Sequence, residues 1–231
     1  MLHDATTAEE VRSALHAGAD PETRDRRNQT ALIATARLGG EHAEAKMRAL
    51  IEAGADVDAQ DEFGETALIA ATFRGEHAEA MMRTLIEAGV DVNARDNAGR
   101  TALRVAAWHG SRHAEAMMRL LVAAGANVNE QDKGGQTALM VAPQGGGEHA
   151  EATVRALLAA GATANKQDNL GKTALMIAAQ RDGYAYAEAV MRVLLGAGAA
   201  VDARDTQYGK TALMLAAEHK GAYFEAKMRL L

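Results

Sequence analysis

Apolar residues recur with helical spacing in short blocks along the chain, and residues 61–95 contain one complete block. Leu68 and Ala71 lie three residues apart after Thr66, a favourable N-cap residue, and predict a short first helix. A second apolar stripe, with the spacing i, i+4, i+7 and i+8, is formed by Ala78, Met82, Leu85 and Ile86. This spacing is typical of a helix with one buried face, so the block predicts a longer second helix over roughly 77–88.

Turn residues bound both helices. Asp61 predicts a turn because its carboxylate can bond to the backbone that follows, and Gly64 tolerates positive φ. The glycines at this position of successive blocks are Gly64, Gly99, Gly135, Gly171 and Gly209. Asn28 takes the place of glycine in the first block. Gly89 is placed to end the second helix, and residues 90–93 are expected to run extended into the next turn.

The block is a repeat, because the tripeptide Thr-Ala-Leu returns at nearly constant intervals. It begins at Thr30, Thr66, Thr101, Thr137, Thr173 and Thr211, which are 36, 35, 36, 36 and 38 residues apart. A period of this size indicates stacked supersecondary repeats, none of which can bury its apolar face alone. The predicted boundaries are 1–24 for a half-repeat cap, 25–60, 61–95, 96–131, 132–167 and 168–204 for the first to fifth repeats, and 205–231 for an incomplete sixth repeat.

The two ends of the chain differ from the complete repeats. Thr7 and Glu10 have the spacing of a capping box, in which a hydroxyl and a carboxylate bond reciprocally to free backbone N–H groups. The helix that follows, over roughly residues 8–17, ends in Ala-Gly-Ala-Asp like the later second helices, so we expect the half-repeat to cap the stack. At Leu231 the chain stops before the exit turn, which predicts either a truncated chain or self-association through an uncapped end.

The repeat resembles the ankyrin repeat, a β-turn followed by two helices, the first of which opens with Thr-Pro-Leu-His-x-Ala. The resemblance covers nearly the whole chain and implies an all-α fold, an ankyrin-repeat solenoid that forms a single domain over 1–231. In all six repeats of this chain alanine stands in place of the proline, and the histidine is also replaced. The residues at the histidine position are Ile33, Ile69, Arg104, Met140, Met176 and Met214. The resemblance also implies a non-enzymatic scaffold for protein–protein interaction.

Proteins of this family typically bind partners through a concave groove made of the turn tips and the exposed ends of the first helices. Carried onto the matching positions, the resemblance implies a partner-binding set made of Arg26, Arg27, Arg37, Phe63, Phe73, Arg74, Arg100, Arg104, Trp108, His109 and Tyr208. Phe63, Phe73 and Trp108 are the aromatic anchors that we expect at its centre, unless Phe73 and Trp108 only cover a thin core. Because the arginines crowd the N-terminal half, we expect a protein partner with an acidic patch.

Composition and charge narrow the classes of function. Hydrophobic residues make up 48% of the 231 residues but aromatic residues only 3%, so alanine, leucine, methionine and valine must form the core. The net charge of −6 argues against general nucleic-acid affinity, although binding of a nucleic acid or polyanion through the arginine-rich half remains the alternative function. The chain has no cysteine, no signal-peptide pattern and no long apolar run, so we expect a soluble, cytoplasmic protein without a membrane contact.

No motif for catalysis or for cofactor binding stands out, and we expect neither catalytic residues nor a cofactor. Two columns run along the second helices. One pairs glutamate with arginine at i, i+4, as in Glu79 and Arg83, and predicts a solvated ion-pair face. The other is His42, His77, His113, His149, Tyr186 and Tyr223. Adjacent helices lie about 8–10 Å apart, too far for one metal ion to bind neighbouring histidines, so we expect no metal site.

Pro143, which replaces an alanine of the first helix, predicts a soft point of the stack.

Overall fold

The computed structural model describes residues 2–145, 147–181, 185–218 and 224–231, apart from the side chains of residues 74–76, 185, 224 and 226. Within these ranges the chain forms helices and turns, and no β-strand is present. The α-helices, in chain order, are α1 (Ala8–His16), α2 (Ala31–Leu38), α3 (Ala43–Glu52), α4 (Ala67–Ala71), α5 (Ala78–Glu87), α6 (Ala102–His109), α7 (Ala114–Ala123), α8 (Ala138–Gly145), α9 (Ala150–Ala159), α10 (Ala174–Ala179), α11 (Ala185–Gly196), α12 (Ala212–Glu218) and α13 (Phe224–Leu230). Short 3-10 helices cover Leu2–Asp4, Thr72–His77 and Gly147–His149. The all-α prediction is confirmed.

The residues group into two compact units. The N-terminal unit comprises Met1–Ala102 and Ala123–Ala126, and the C-terminal unit comprises Leu103–Val122 and Asn127–Leu231. In the N-terminal unit α2 packs against α4 and α3 against α5, while α1 covers α3. In the C-terminal unit α8, α10 and α12 form one row and α9, α11 and α13 form a second. Each unit is therefore a two-layer stack of first and second helices. The single domain over 1–231 and the repeat boundaries stay predictions.

The first helices begin at the threonine of Thr-Ala-Leu, as the sequence predicts. The Oγ1 atom of Thr66 accepts a hydrogen bond from the backbone N–H of Ile69 at 3.3 Å, and Thr30, Thr173 and Thr211 make the same bond. This bond satisfies one of the backbone donors that a helix start leaves free. At Thr137 the N–H of Met140 bonds instead to the threonine carbonyl, at 3.1 Å.

The second helices bury one face, but the buried stripe of α5 is wider than predicted. Ala78, Met82 and Leu85 are buried as expected, and so are Met81 and Thr84, whereas Ile86 is only half-buried. The buried face of α5 is therefore turned around the helix axis towards Met81 and Thr84, and it is wide because α5 packs against both α3 and α4.

The tight turn before each first helix depends on residues that accept positive φ. Asn28 has φ 58° and Gly64 has φ 73°, which confirms both predictions. A Cβ atom at Gly64 would lie 2.7 Å from Oδ1 and 2.8 Å from the backbone nitrogen of Asn97 in the next turn. The backbone N–H of Asn97 donates to the Phe63 carbonyl at 2.9 Å, so glycine allows successive turns to approach closely.

A row of long polar side chains joins successive turns inside each unit, and sequence reasoning missed it. Each member donates to the backbone carbonyl of its counterpart in the next repeat, in the pairs Arg24–Gln60, Gln60–Arg95, Gln131–Gln167 and Gln167–Arg204, at 2.6–3.1 Å. The carbonyls of irregular turns need such donors because no helix or strand supplies them. The row is visible in the sequence as Arg or Gln at one position of every repeat.

The expected ion pairs of the second helices form in all six repeats. Glu and Arg at i, i+4 lie 2.5–3.7 Å apart in the pairs Glu44–Arg48, Glu79–Arg83, Glu115–Arg119, Glu151–Arg155, Glu188–Arg192 and Glu225–Arg229. Their side chains are largely exposed, so each pair contributes little stability.

The histidines of the neighbouring column precede the second helices, and His77 makes no side-chain cap bond. Tyr223 lies outside the described residues.

At the N-terminus the capping box forms with one shift. The backbone N–H of Glu10 donates to Thr7 Oγ1 at 3.2 Å, but the main hydrogen bond of the Glu10 carboxylate, at 2.6 Å, comes from the N–H of Thr6, one residue before the cap. This bond with Thr6 lowers the pKa of Glu10.

Pro143 is buried inside α8, which continues to Gly145, so the proline does not end the helix there. Whether this segment is soft stays a prediction.

Candidate partner-binding surface

Exposed large apolar side chains concentrate at the turn tips and at the ends of the first helices, which we call the turn-tip surface of each unit. Among the described residues, the large apolar side chains that are at least 37% exposed are Leu38, Phe63, Phe73, Trp108, Leu170, Val201, Tyr208, Leu213 and Met214. The first five, together with Tyr208, belong to the turn-tip surface, and none of the nine lies on a second helix. A solvated surface does not need large apolar side chains, so their distribution makes the turn-tip surface the candidate site for partner binding.

In the N-terminal unit two aromatic side chains lie on the turn-tip surface. Phe63, at a turn tip, is 56% exposed, and Phe73, just beyond α4, is 38% exposed. Arg26 and Arg27 are exposed at the first turn tip. The side chain of Arg74, predicted beside Phe73, lies outside the described part of the structure.

Arg37 is held inside the N-terminal unit by two carboxylates of the next repeat. Its Nη2 atom lies 2.9 Å from Asp61 Oδ2 and 2.5 Å from Glu65 Oε2. Both partners are almost fully buried, and the Arg37 side chain itself is only 26% exposed. Asp61 is also fixed by the N–H groups of Phe63 and Glu65, both at 2.9 Å. The guanidinium therefore neutralises charge between two repeats.

Arg100 has a similar arrangement one repeat later. Its Nε atom lies 2.5 Å from Asp96 Oδ2, and its Nη2 atom lies 3.4 Å from Glu65 Oε1. Glu65 thus lies between two arginines, which explains how a carboxylate can be buried at a turn end. Sequence reasoning missed Asp61, Glu65 and Asp96 as partners.

In the C-terminal unit, α6 carries three of the predicted binding residues. Arg104 forms an ion pair, and the rings of Trp108 and His109 contact each other. Arg104 Nη2 lies 2.6 Å from Asp132 Oδ2, and the Arg104 side chain is only 13% exposed. Trp108 is 47% exposed at the end of the helix. Its ring meets that of His109 edge to face, with 5.0 Å between the ring centroids. Trp108 thus presents an apolar surface that a neighbouring ring keeps in place.

Tyr208 is the most exposed of these large side chains, at 67%, and it lies at the turn tip of the sixth repeat. The ammonium group of Lys210 lies 4.8 Å from the centroid of its ring, within the range of a cation–π contact. Lys210 also lies 2.5 Å from Glu218 at the end of α12. The hydrogen bond with Glu218 raises the pKa of Lys210.

The aspartates that open the turns are anchored by backbone donors. Burial alone would raise the pKa of Asp25, but the N–H groups of Gln29 and Arg27 bond to its carboxylate and hold its pKa below the usual value. Asp205 behaves in the same way in the sixth repeat. These carboxylates therefore help to shape the turns.

The described residues place the predicted set on two separate units. Phe63, Phe73 and Arg100 belong to the N-terminal unit, and Trp108 and Tyr208 belong to the C-terminal unit. That the aromatic residues form one centre stays a prediction. Within the described ranges no three histidine, aspartate or glutamate side chains converge as metal ligands, and no helix is long and apolar enough to cross a bilayer.

Comparisons with known proteins agree with this architecture. A family model described as "Ankyrin repeats (3 copies)" matches residues 2–96, 42–132, 79–168, 111–205 and 148–228. Among solved structures, the crystal structure of the human ASB11 ankyrin repeat domain is similar, with a TM-score of 0.82 and 24% sequence identity over 100% of this chain and 97% of that chain. At this identity the likeness shows the fold alone. No curated protein sequence matches the chain.

Proposed function

Because the chain belongs to the ankyrin-repeat family, whose members generally bind other proteins and typically lack catalytic activity, we propose that it binds a protein partner through its turn-tip surfaces. One observation carries this proposal: six of the nine exposed large apolar side chains of the described residues lie there, and none lies on a second helix. Such side chains form the anchors of protein interfaces when they are surrounded by polar groups.

The proposed anchors are Phe63 and Phe73 in the N-terminal unit and Trp108 and Tyr208 in the C-terminal unit. Arg26 and Arg27 are exposed and can add charge at the rim. By contrast Arg37, Arg100 and Arg104 already face carboxylates of their own unit, which removes much of the free positive charge on which the polyanion alternative depends. Protein binding is therefore the better-supported function.

The test is affinity capture with the full chain from a lysate of the organism that encodes it, read by quantitative mass spectrometry. Phe63→Ala and Trp108→Ala should each reduce the yield of a specific partner about tenfold or more, because each removes an exposed aromatic anchor. Arg155→Ala, on a second helix, is the control and should leave the yield unchanged. If both aromatic variants capture the partner as well as the unaltered chain does, the proposed surface is wrong.

A further inference from the structure

A cleft in the C-terminal unit combines two cations with three carboxamides. It has a volume of about 360 Å³ and lies between the fourth and fifth repeats, where its walls include Gln136, Gln144, Leu170, Lys172, Gln180 and Arg181. A cleft of this size accommodates one or two side chains of a bound segment. What it can bind depends on whether its two cations are already neutralised.

Arg181 is fixed in position while most of its donors stay available. Its Nε atom donates to the carbonyl of Pro143 at 3.3 Å, across the two repeats. Its own carbonyl accepts a hydrogen bond from the buried Nζ atom of Lys227, which also donates to Ala179. Within the described ranges, its two terminal nitrogens have no hydrogen-bond partner and no carboxylate pairs with it. These nitrogens can bind a carboxylate in bidentate fashion without a large loss of side-chain freedom.

Lys172 differs from its counterpart in the next repeat in one respect that matters for binding. Lys210 pairs with a carboxylate, Glu218, at 2.5 Å, whereas Lys172 Nζ donates to the neutral amide oxygen of Gln180 at 3.1 Å. The two pairs occupy equivalent places, at the end of a turn and the end of a first helix. Among the described residues Lys172 therefore has no carboxylate within ion-pair distance. Its charge does interact at longer range with Asp205, a turn carboxylate that already accepts the backbone N–H groups of Tyr208 and Lys210.

One carboxylate, Asp168, also lines the cleft. Its Oδ1 atom accepts the backbone N–H groups of Leu170 at 2.9 Å and Lys172 at 2.8 Å, so it belongs to the turn. Two cations then face one carboxylate whose charge is already shared with backbone donors. The residues that line the cleft thus carry two positive charges against one negative, in a chain with a net charge of −6.

Resting on the proposed protein-binding function, we propose that this cleft binds an aspartate or glutamate side chain of an extended segment of the partner protein. The carboxylate would lie between Arg181 and Lys172, and the amides of Gln136 and Gln144 would bond to the backbone of the segment. Leu170, which is 48% exposed, offers an apolar contact to a neighbouring residue. A nucleic acid fits less well, because the residues that line the cleft include no aromatic ring for base stacking.

The test uses the full chain and a short fluorescent peptide in which glutamate alternates with leucine, followed by fluorescence anisotropy. The matched probe carries glutamine in place of every glutamate. We expect the glutamate peptide to bind roughly tenfold more tightly than the glutamine peptide, because charge-assisted hydrogen bonds are replaced by neutral ones. Arg181→Gln should remove most of this difference. Arg155→Gln, which removes a cation from α9, should retain it.

Gln180→Glu gives an independent variant that preserves the fold. It recreates at Lys172 the ion pair that Lys210 and Glu218 already form, so the chain should melt normally while the glutamate peptide loses at least roughly tenfold in affinity. Equal affinity for the two peptides, or unchanged affinity in both cleft variants, overturns the proposal. Binding of single-stranded oligothymidine that depends on Arg181 also overturns it, in favour of a polyanion. If Gln180→Glu still captures the cellular partner fully, the cleft is wrong while the proposed function stands.

Discussion

Replacing Arg37 with methionine tests whether this arginine stabilises the stack or serves mainly to bind a partner. The substitution keeps much of the apolar stem and removes the charge that lies 2.9 Å from Asp61 and 2.5 Å from Glu65. Charge-assisted hydrogen bonds contribute about 1.5–3 kcal/mol each. Releasing the ordered arginine returns about 2 kcal/mol of rotamer entropy. We therefore expect the free energy of unfolding to fall by roughly 2 kcal/mol.

The two carboxylates limit this loss because neither is left without a partner. Asp61 keeps the backbone donors at 2.9 Å from Phe63 and Glu65, and Glu65 keeps Arg100 at 3.4 Å. The loss should therefore stay below the roughly 3–5 kcal/mol typical of a fully orphaned buried charge. Because Arg37 joins two repeats, the loss acts on the interface between them.

The assay is urea unfolding of the full chain followed by circular dichroism. Arg48→Met is the matched control, because Arg48 pairs with Glu44 at 3.1 Å on an exposed face and should change stability by less than about 0.5 kcal/mol. A double variant, Arg37→Met with Glu65→Gln, should lose less than the sum of the single losses, since the two residues share one interaction. If Arg37→Met unfolds at the same urea concentration as the control, the ion pairs do not stabilise the stack.

Two further predictions concern a glycine and a turn aspartate. In Gly145→Ala the new Cβ atom would overlap the carbonyl oxygen of Trp108, so we expect a loss of stability above about 1 kcal/mol and altered fluorescence of the chain's one tryptophan. The control is Gly196→Ala, which has open space around the new Cβ atom and should be neutral or stabilising. Equal stability of the two variants would refute the close approach of Gly145 to Trp108. Because backbone donors hold the pKa of Asp25 below its usual value, its contribution is present above the unfolded pKa of about 3.9 and is lost as the pH falls through the folded pKa. Asp25→Asn should therefore lower stability at neutral pH and flatten the loss of stability in acid, as measured by urea midpoints across a pH series, and an unchanged acid profile would contradict this.

Local signals account for the part of the fold that the sequence predicts well. Thr66 caps its helix and Gly64 takes positive φ because each depends on atoms a few residues away. The same holds for Glu79 and Arg83, which meet one helical turn apart. Such features recur in most repeats, so a column of residues supports what one position suggests.

The partners of the arginines could not be predicted in the same way. Arg37 meets Asp61 and Glu65 across 24 and 28 residues, and this contact depends on the register between two repeats. Lys227 is harder still, because its buried Nζ atom bonds to Ala179, 48 residues away. In several other repeats the equivalent position holds a buried, uncharged residue, so the sequence marks Lys227 as unusual. It does not show which carbonyls the lysine reaches.

In the fifth and sixth repeats the charge that the turn-tip surface presents depends on a pair of positions. There the residue that ends the turn contacts the residue that ends the first helix, whereas Arg37 of the first repeat meets carboxylates of the next repeat instead. Lys210 forms an ion pair with Glu218, whereas Lys172 bonds to the neutral amide of Gln180. An arginine-rich column alone therefore overstates the positive charge of the N-terminal half. For an acidic partner we therefore propose contact at Lys172 and Arg181, because the residue that contacts Lys172 is the neutral Gln180.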